Sequence, residues 1–137
     1  MILFILFVIW ILFSYLEGKR DASFFHANVS SPNPVAENLH WLFTFTRTIV
    51  LGLITWIIFS KYSISVTIIY AFSLSMIFSW IHNGVYYHIR HKLDSNSYPK
   101  GFYDTSTTST SIIELDYSIR TLLALIGVMG IILTLFM

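Results

Sequence analysis

Long apolar runs alternate with shorter polar connections along the chain. Apolar residues dominate positions 1–16, 41–59, 64–81 and 121–137. A helix needs about 20 apolar residues to cross a hydrocarbon layer. Each run reaches that length by extending a turn or two into its polar flank. The pattern therefore predicts helices over about 1–26, 34–60, 63–92 and 111–137, with a polar loop over about 93–110. Ser60-Lys61-Tyr62-Ser63 leaves room only for a tight αα-hairpin. Pro34 suits the first turn of the second helix, capped by Asn33. Ser111 and Glu114 fit a capping box for the fourth. Within the polar loop, Tyr98-Pro99-Lys100-Gly101 signals a turn, and the hydroxyl-rich run from Thr105 to Ser111 reads as a solvated connection. Residues 1–16 have neither a basic leading segment nor a small-residue cleavage site after them, so they read as a retained helix.

Composition narrows the class. Of 137 residues, 55% are hydrophobic and only 11% charged, less than half the roughly 25% charged of soluble domains. Mean hydropathy is +0.71. A soluble domain of this size needs a polar shell that these residues do not supply. A net charge of +1 excludes a nucleic-acid partner on electrostatic grounds. The absence of cysteine excludes disulfides, thiol nucleophiles and thiolate-held metals. The expected fold is all-α: one integral membrane domain over 1–137, a bundle of four transmembrane helices.

Charge sets the orientation. Lys19, Arg20, Arg90, Lys92 and Lys100 belong to the first and third connections, and Arg47 and Arg120 lie nearer that side. Lys61 alone belongs to the side of the termini. The positive-inside rule then predicts both termini on the non-cytoplasmic side. The expected location is a bacterial inner membrane or an organellar inner membrane, crossed several times.

Every acid and every histidine falls at the same end as most of the basic residues. An α-helix advances about 100° per residue. On that phase Glu17 and Asp21 share a face of the first helix, and Glu37, His40 and Arg47 share one on the second. His82 and Arg90 share one on the third, and Asp116 and Arg120 pair one turn apart on the fourth. In lipid such stripes turn inward, which predicts one polar chamber open to the cytoplasm.

Three chemistries fit the chamber. The first is a metal site. Glu37-x-x-His40 has the spacing by which a helix presents a carboxylate and an imidazole to one metal. Glu17, Asp21 and His82 would complete a set suited to a divalent ion such as iron, manganese or zinc. The second is an anion or lipid-headgroup site at Arg47, Arg90 and Arg120, whose planar guanidinium groups match phosphate and carboxylate. The third is structural: Arg47 pairs with Glu17 or Glu37, Asp116 pairs with Arg120, and His40 and His82 are satisfied bundle histidines. Gly127-x-x-Gly130, with Ala124 a turn earlier, gives the fourth helix a small-residue edge for close packing. Trp41, Tyr62, Trp80, Tyr86 and Tyr87 fit interfacial aromatic belts.

His26-Ala27-Asn28 and Glu37-Asn38-Leu39 are loosely similar to a pattern in the small four-helix membrane enzymes that act on glutathione and lipid-derived electrophiles. That family places its pattern on one continuous helix, whereas Pro32 and Pro34 interrupt it here, so no residue role is carried over.

The expected function is a cytoplasm-facing intramembrane polar site that binds a metal or an anionic or lipid ligand, within a membrane enzyme or transporter. The alternative is a non-catalytic accessory subunit of a larger membrane complex. A pore former fits less well, because the polar residues cluster at one end. No catalytic residue is assigned. A bundle this small predicts a homo-oligomer or a place in a larger complex, with membrane lipids as partners.

Overall fold

A computed structural model describes residues 1–29, 40–104 and 115–137. Among the described residues, four helices are long and apolar enough to cross a membrane. They are α1 (Ile2–Val29), α2 (His40–Phe59), α3 (Ile64–Leu93) and α4 (Tyr117–Thr134), with a short 3-10 turn over Gly101–Tyr103. The expected starts near 34 and 111, with caps at Asn33 and at Ser111 and Glu114, lie outside the described residues.

α1 and α3 extend over 28 and 30 described residues, about 42 and 45 Å at 1.5 Å per residue. α4 has 18, about 27 Å, and the described part of α2 has 20. Hydrocarbon is about 30 Å thick. The extra turns of α1 and α3 therefore project beyond it, and they carry charge.

Local sequence explains the visible helix starts. The Ser63 side chain accepts from the Val66 N–H and caps α3. The Asp116 carboxylate accepts from the Ile119 N–H at 2.7 Å and caps α4. Asp116 thus serves the helix end, and the expected ion pair with Arg120 does not form. Ser60–Ser63 makes the tight connection expected between α2 and α3, with Lys61 and Tyr62 N–H groups closing onto the Ile58 carbonyl.

α3 is the hub. It packs against α1, α4 and the 3-10 turn, and more lightly against α2. α1 runs parallel to α3: the Tyr70 hydroxyl donates to the Leu3 carbonyl, and Trp10 Nε1 donates to the Leu74 carbonyl at 2.8 Å. α4 runs antiparallel to it, with Gly130 beside Ser73 and Thr121 beside Trp80. At the end bearing the α2–α3 turn, Leu3, Leu6, Trp10, Ile54, Ile58, Val66, Tyr70 and Leu74 form a purely internal cluster from three helices. Phe4, Leu12, Leu53, Trp56, Phe72 and Met129 point outward. Such a surface is stable against lipid and would aggregate in water.

The small-residue edge of α4 meets α3 of the same chain. A Cβ at Gly127 would lie 2.7 Å from the Ser73 carbonyl oxygen, and one at Gly130 would overlap the Ser73 hydroxyl. Gly52 has nothing within 4 Å. Gly130→Val should therefore cost about 1–3 kcal/mol of stability through overpacking, while Gly52→Ala should leave stability unchanged or slightly raised. Denaturant titration in detergent micelles checks both; equal effects at the two sites would contradict this packing.

Candidate functional site

The polar end holds two charged clusters with opposite electrostatics. The first joins α1, α2 and α3. Glu17 and Asp21 lie one turn apart on α1 and are 5% and 4% exposed. Between them Gly18 brings the α1 backbone against α3; a Cβ there would stand 2.5 Å from the His82 carbonyl oxygen. That close approach sets the carboxylates beside the His82 side chain. Arg47 enters from α2. Its Nε donates to Glu17 Oε2 at 3.3 Å, and its Nη2 donates to Asp21 Oδ2 and lies 2.9 Å from His82 Nε2. Arg20 closes the outer side, pairing with both Glu17 and Asp21.

Neighbouring rings hold His82 in place. Phe78 stacks on its imidazole with centroids 4.9 Å apart, and Tyr86 lies parallel at 6.5 Å. The Asn83 amide faces Nδ1 at 2.9 Å through its oxygen, while its nitrogen reaches the Ser79 hydroxyl at 3.5 Å. An amide oxygen facing Nδ1 favours the tautomer that carries a proton there. Nε2 lies between Arg47 and Asp21, the latter at 3.1 Å. As a bare nitrogen it accepts from Arg47; as an N–H it donates to Asp21. With His82 neutral, two carboxylates balance two guanidinium groups, and the cluster is self-neutralising.

The second cluster lies where α3 projects furthest. α3 ends at Asp94, whose N–H bonds back to the Arg90 carbonyl at 2.7 Å. The Asp94 carboxylate then accepts from the Ser97 N–H at 3.2 Å. Ser97, through its hydroxyl and N–H, holds the exposed Asp94 carboxyl below the usual carboxylate range. This turn folds residues 95–104 back over α3 as a strap. His91 Nδ1 donates to the Tyr98 carbonyl at 2.7 Å, and the Tyr98 ring stacks on Tyr87 with centroids 6.3 Å apart. Gly101 adopts φ +55, a left-handed conformation that side chains rarely take. The Phe102 ring occupies the space that a side chain at position 84 would need, because Gly84 has none. The first part of the polar loop expected over about 93–110 is packed, with Tyr98, Gly101 and Asp104 buried, and the Thr105–Ser111 run read as a solvated connection lies outside the described residues.

Arg90 and Arg120 flank this strap. Arg90 Cζ lies 4.7 Å from the Tyr98 ring centroid, and Arg120 Cζ lies 5.2 Å from that of Tyr87 and 5.9 Å from that of Tyr117. Such faces attract cations. Arg120 Nη2 donates to the Asp104 carbonyl at 3.0 Å and the Phe102 carbonyl at 3.4 Å. Both arginines are buried, at 5% and 0% exposure. Yet Nε and Nη1 of each have no hydrogen-bond acceptor among the described residues. Neither pairs with a carboxylate among those residues. Burying a guanidinium with open N–H groups is costly unless an acceptor meets it.

The sequence candidates therefore divide. Glu17, Asp21, Arg47 and His82 meet in the first cluster. Arg90 and Arg120 meet the strap, and Arg47 does not join them. Glu37 and the side chain of His40 lie outside the described residues. The metal set does not assemble among the described residues: no group of three His, Asp or Glu side chains is placed to hold an ion. The Arg47 guanidinium lies between Glu17, Asp21 and His82, and a cation already fills that position. Sequence reasoning missed Arg20 as a partner, although it lies three residues from Glu17.

Asp21→Asn and Arg47→Met should each destabilise the detergent-solubilised protein by about 3 kcal/mol, since each leaves an opposite charge buried without its partner. The double variant should lose less than the sum of the two. Additive losses below about 1 kcal/mol each, as for an exposed pair, would contradict a closed network.

Comparison of the chain with protein-family profiles, curated proteins and solved structures finds no match.

Proposed function

We propose that this membrane protein binds an anionic ligand at its polar end, between α3, α4 and the strap, through Arg90 and Arg120. The observation that carries the reading is the set of buried guanidinium N–H groups without an acceptor among the described residues. Arginine presents these donors in a planar fork that matches the oxygens of phosphate or carboxylate. The tyrosine faces beside them lower the cost of holding the cations apart from water. The first cluster offers no such surplus, because its carboxylates already use Arg20 and Arg47. Its role in this reading is to close α1, α2 and α3 around the site. A metal has less support than an anion, given the arginine between the candidate ligands.

Depth supports a membrane-borne task. Counted along α3 from Ile64, His82 stands about 27 Å and Arg90 about 39 Å away. A hydrocarbon layer about 30 Å thick beginning at Ile64 would end between them. Arg90 then stands among headgroups. The surplus of Lys and Arg at this end favours its placement on the cytoplasmic side, or on the matrix or stromal side in an organelle. The site would serve a membrane enzyme or transporter whose substrate or regulator carries the negative charge.

Isothermal titration of inorganic phosphate into the detergent-solubilised protein tests this. Nε and Nη1 of Arg90 have no acceptor among the described residues, and because Arg90→Gln also loses the contact with the Tyr98 ring, a denaturant titration of the variant accompanies the binding measurement. Arg90→Gln should weaken phosphate binding at least about tenfold, as expected for a charge-assisted hydrogen bond of roughly 1.5–3 kcal/mol. Arg90→Lys should fall between, keeping the charge and losing the fork. Equal affinity in wild type and Arg90→Gln, or no binding by wild type, would overturn the reading.

A further inference from the structure

Nε2 of His82 has two neighbours that require opposite states of it. Arg47 Nη2 stands 2.9 Å away, and a guanidinium can only donate. That contact needs a bare nitrogen. Asp21 Oδ2 stands 3.1 Å from the same nitrogen, and an ionised carboxylate can only accept. That contact needs an N–H. The other ring nitrogen faces the Asn83 amide oxygen at 2.9 Å, so the choice falls on Nε2. A proton there sets two donors face to face at Arg47. It also turns two facing lone pairs at Asp21 into a hydrogen bond.

Among the described residues, the ring meets Asp21 from α1, with Glu17 and Arg20 behind it. From α2 it meets Arg47, and on α3 itself Tyr86 lies parallel to it. Arg120 of α4 lies instead against Tyr87 and Tyr117, and Tyr98 of the strap lies against Tyr87 and Arg90. A proton on Nε2 therefore adds one positive charge to a balanced set of two carboxylates and two guanidinium groups. The member placed to leave is Arg47. Its side chain is 24% exposed, against 9% for His82 and 5% for Asp21. α2 itself is held on either side of it. Phe43 packs edge-on against Phe24 and Phe25, and Ile54 and Ile58 belong to the internal cluster. The Arg47 side chain can swing toward water while its helix stays in the bundle.

We propose that His82 Nε2 is a proton-binding site whose occupancy sets the position of Arg47. Bare, the nitrogen holds the guanidinium inside the cluster. Protonated, it donates to Asp21, and Arg47 swings outward. One proton arrives from solvent, and no covalent bond otherwise changes. Imidazole is the side chain suited to such a step between about pH 5 and pH 8. A ring nitrogen with two partners of opposite demand is a two-state element that a proton can bias. The proton comes and goes at the polar end. Toward the opposite end Ser14 is buried, with its hydroxyl on the Trp10 carbonyl, and beyond it Leu3, Leu6, Trp10, Tyr70 and Leu74 close the core. A site reached from one side senses acidity there, whereas carrying protons across needs a second exit. The switch shares no residue with the anion site, so either reading can fail alone.

Nuclear magnetic resonance of the full chain in lipid nanodiscs, with nitrogen-15 in histidine and arginine, tests the proposal. His82→Gln identifies the His82 signals, and Arg47→Lys identifies those of Arg47. From about pH 8 to about pH 5, Nε2 of wild type should pass from bare to protonated while Nδ1 keeps its proton. The Arg47 guanidinium signals should shift with the same midpoint. In His82→Gln, which takes up no proton at that position, they should not respond over the range. Arg47→Met removes the competing donor and leaves Asp21 in place, so the His82 midpoint should rise by about one pH unit, a tenfold gain in proton affinity. The wild-type titration and His82→Gln decide the matter even where Arg47→Met fails to fold. An Nε2 that keeps one state across the range would overturn the proposal. So would Arg47 signals that ignore its titration or still respond in His82→Gln, or a midpoint that does not rise in Arg47→Met.

Discussion

A charge facing hydrocarbon costs at least about 2.5–3.5 kcal/mol at mid-bilayer, and the arrangement of this bundle follows from avoiding that cost. Arg47 is the clearest case. It stands on α2, a helix that otherwise presents mostly apolar residues to its surroundings. Only by turning inward does it meet Glu17 and Asp21 of α1 and His82 of α3. That requirement ties the lightly packed second helix to the hub. It also fixes the register of α1 against α3, since Gly18 must lie against the His82 carbonyl for the carboxylates to reach.

The same constraint gives the second cluster its meaning. In the first, opposite charges cancel and the side chains use one another as partners. In the second, aromatic faces and two backbone carbonyls surround Arg90 and Arg120, and no carboxylate pairs with either among the described residues. Aromatic contact eases a buried cation by about 0.5–2 kcal/mol, less than a buried guanidinium with open donors demands. The two clusters stand at one end of one bundle and share the same hub helix. One is complete by itself and closes the structure. The other leaves guanidinium donors open among the described residues, and the proposed anion would meet them.

Much of this was legible in the sequence. Four apolar runs gave the helices, and the four residues 60–63 gave the turn. Helical phase placed Glu17 with Asp21 and put His82 on an inward face, because the angle per residue is fixed by the backbone. Phase does not report height or distance between helices. It therefore could not separate Arg47 from Arg90 and Arg120, which share a side of the membrane and belong to different clusters. Asp116 and Arg120 have the spacing of an ion pair, but the open N–H groups of the first turn of α4 drew the carboxylate to the backbone. The strap was the least legible part. Its sequence is polar, yet Tyr98 and Phe102 pack inward because Gly101 turns the chain and Gly84 leaves room for a ring. These are tertiary fits, with no periodic signal.

The central claim is that Arg90 and Arg120 hold an anion while Arg47 holds its own chain together. The most direct measurement is an experimental density map of the protein in a lipid nanodisc containing anionic lipid, at a resolution that shows bound phosphate. The account predicts tetrahedral density within hydrogen-bonding distance of Nε or Nη1 of Arg90 or Arg120, and none at Arg47. Water alone, or a protein carbonyl, at those nitrogens in place of an anion would contradict it.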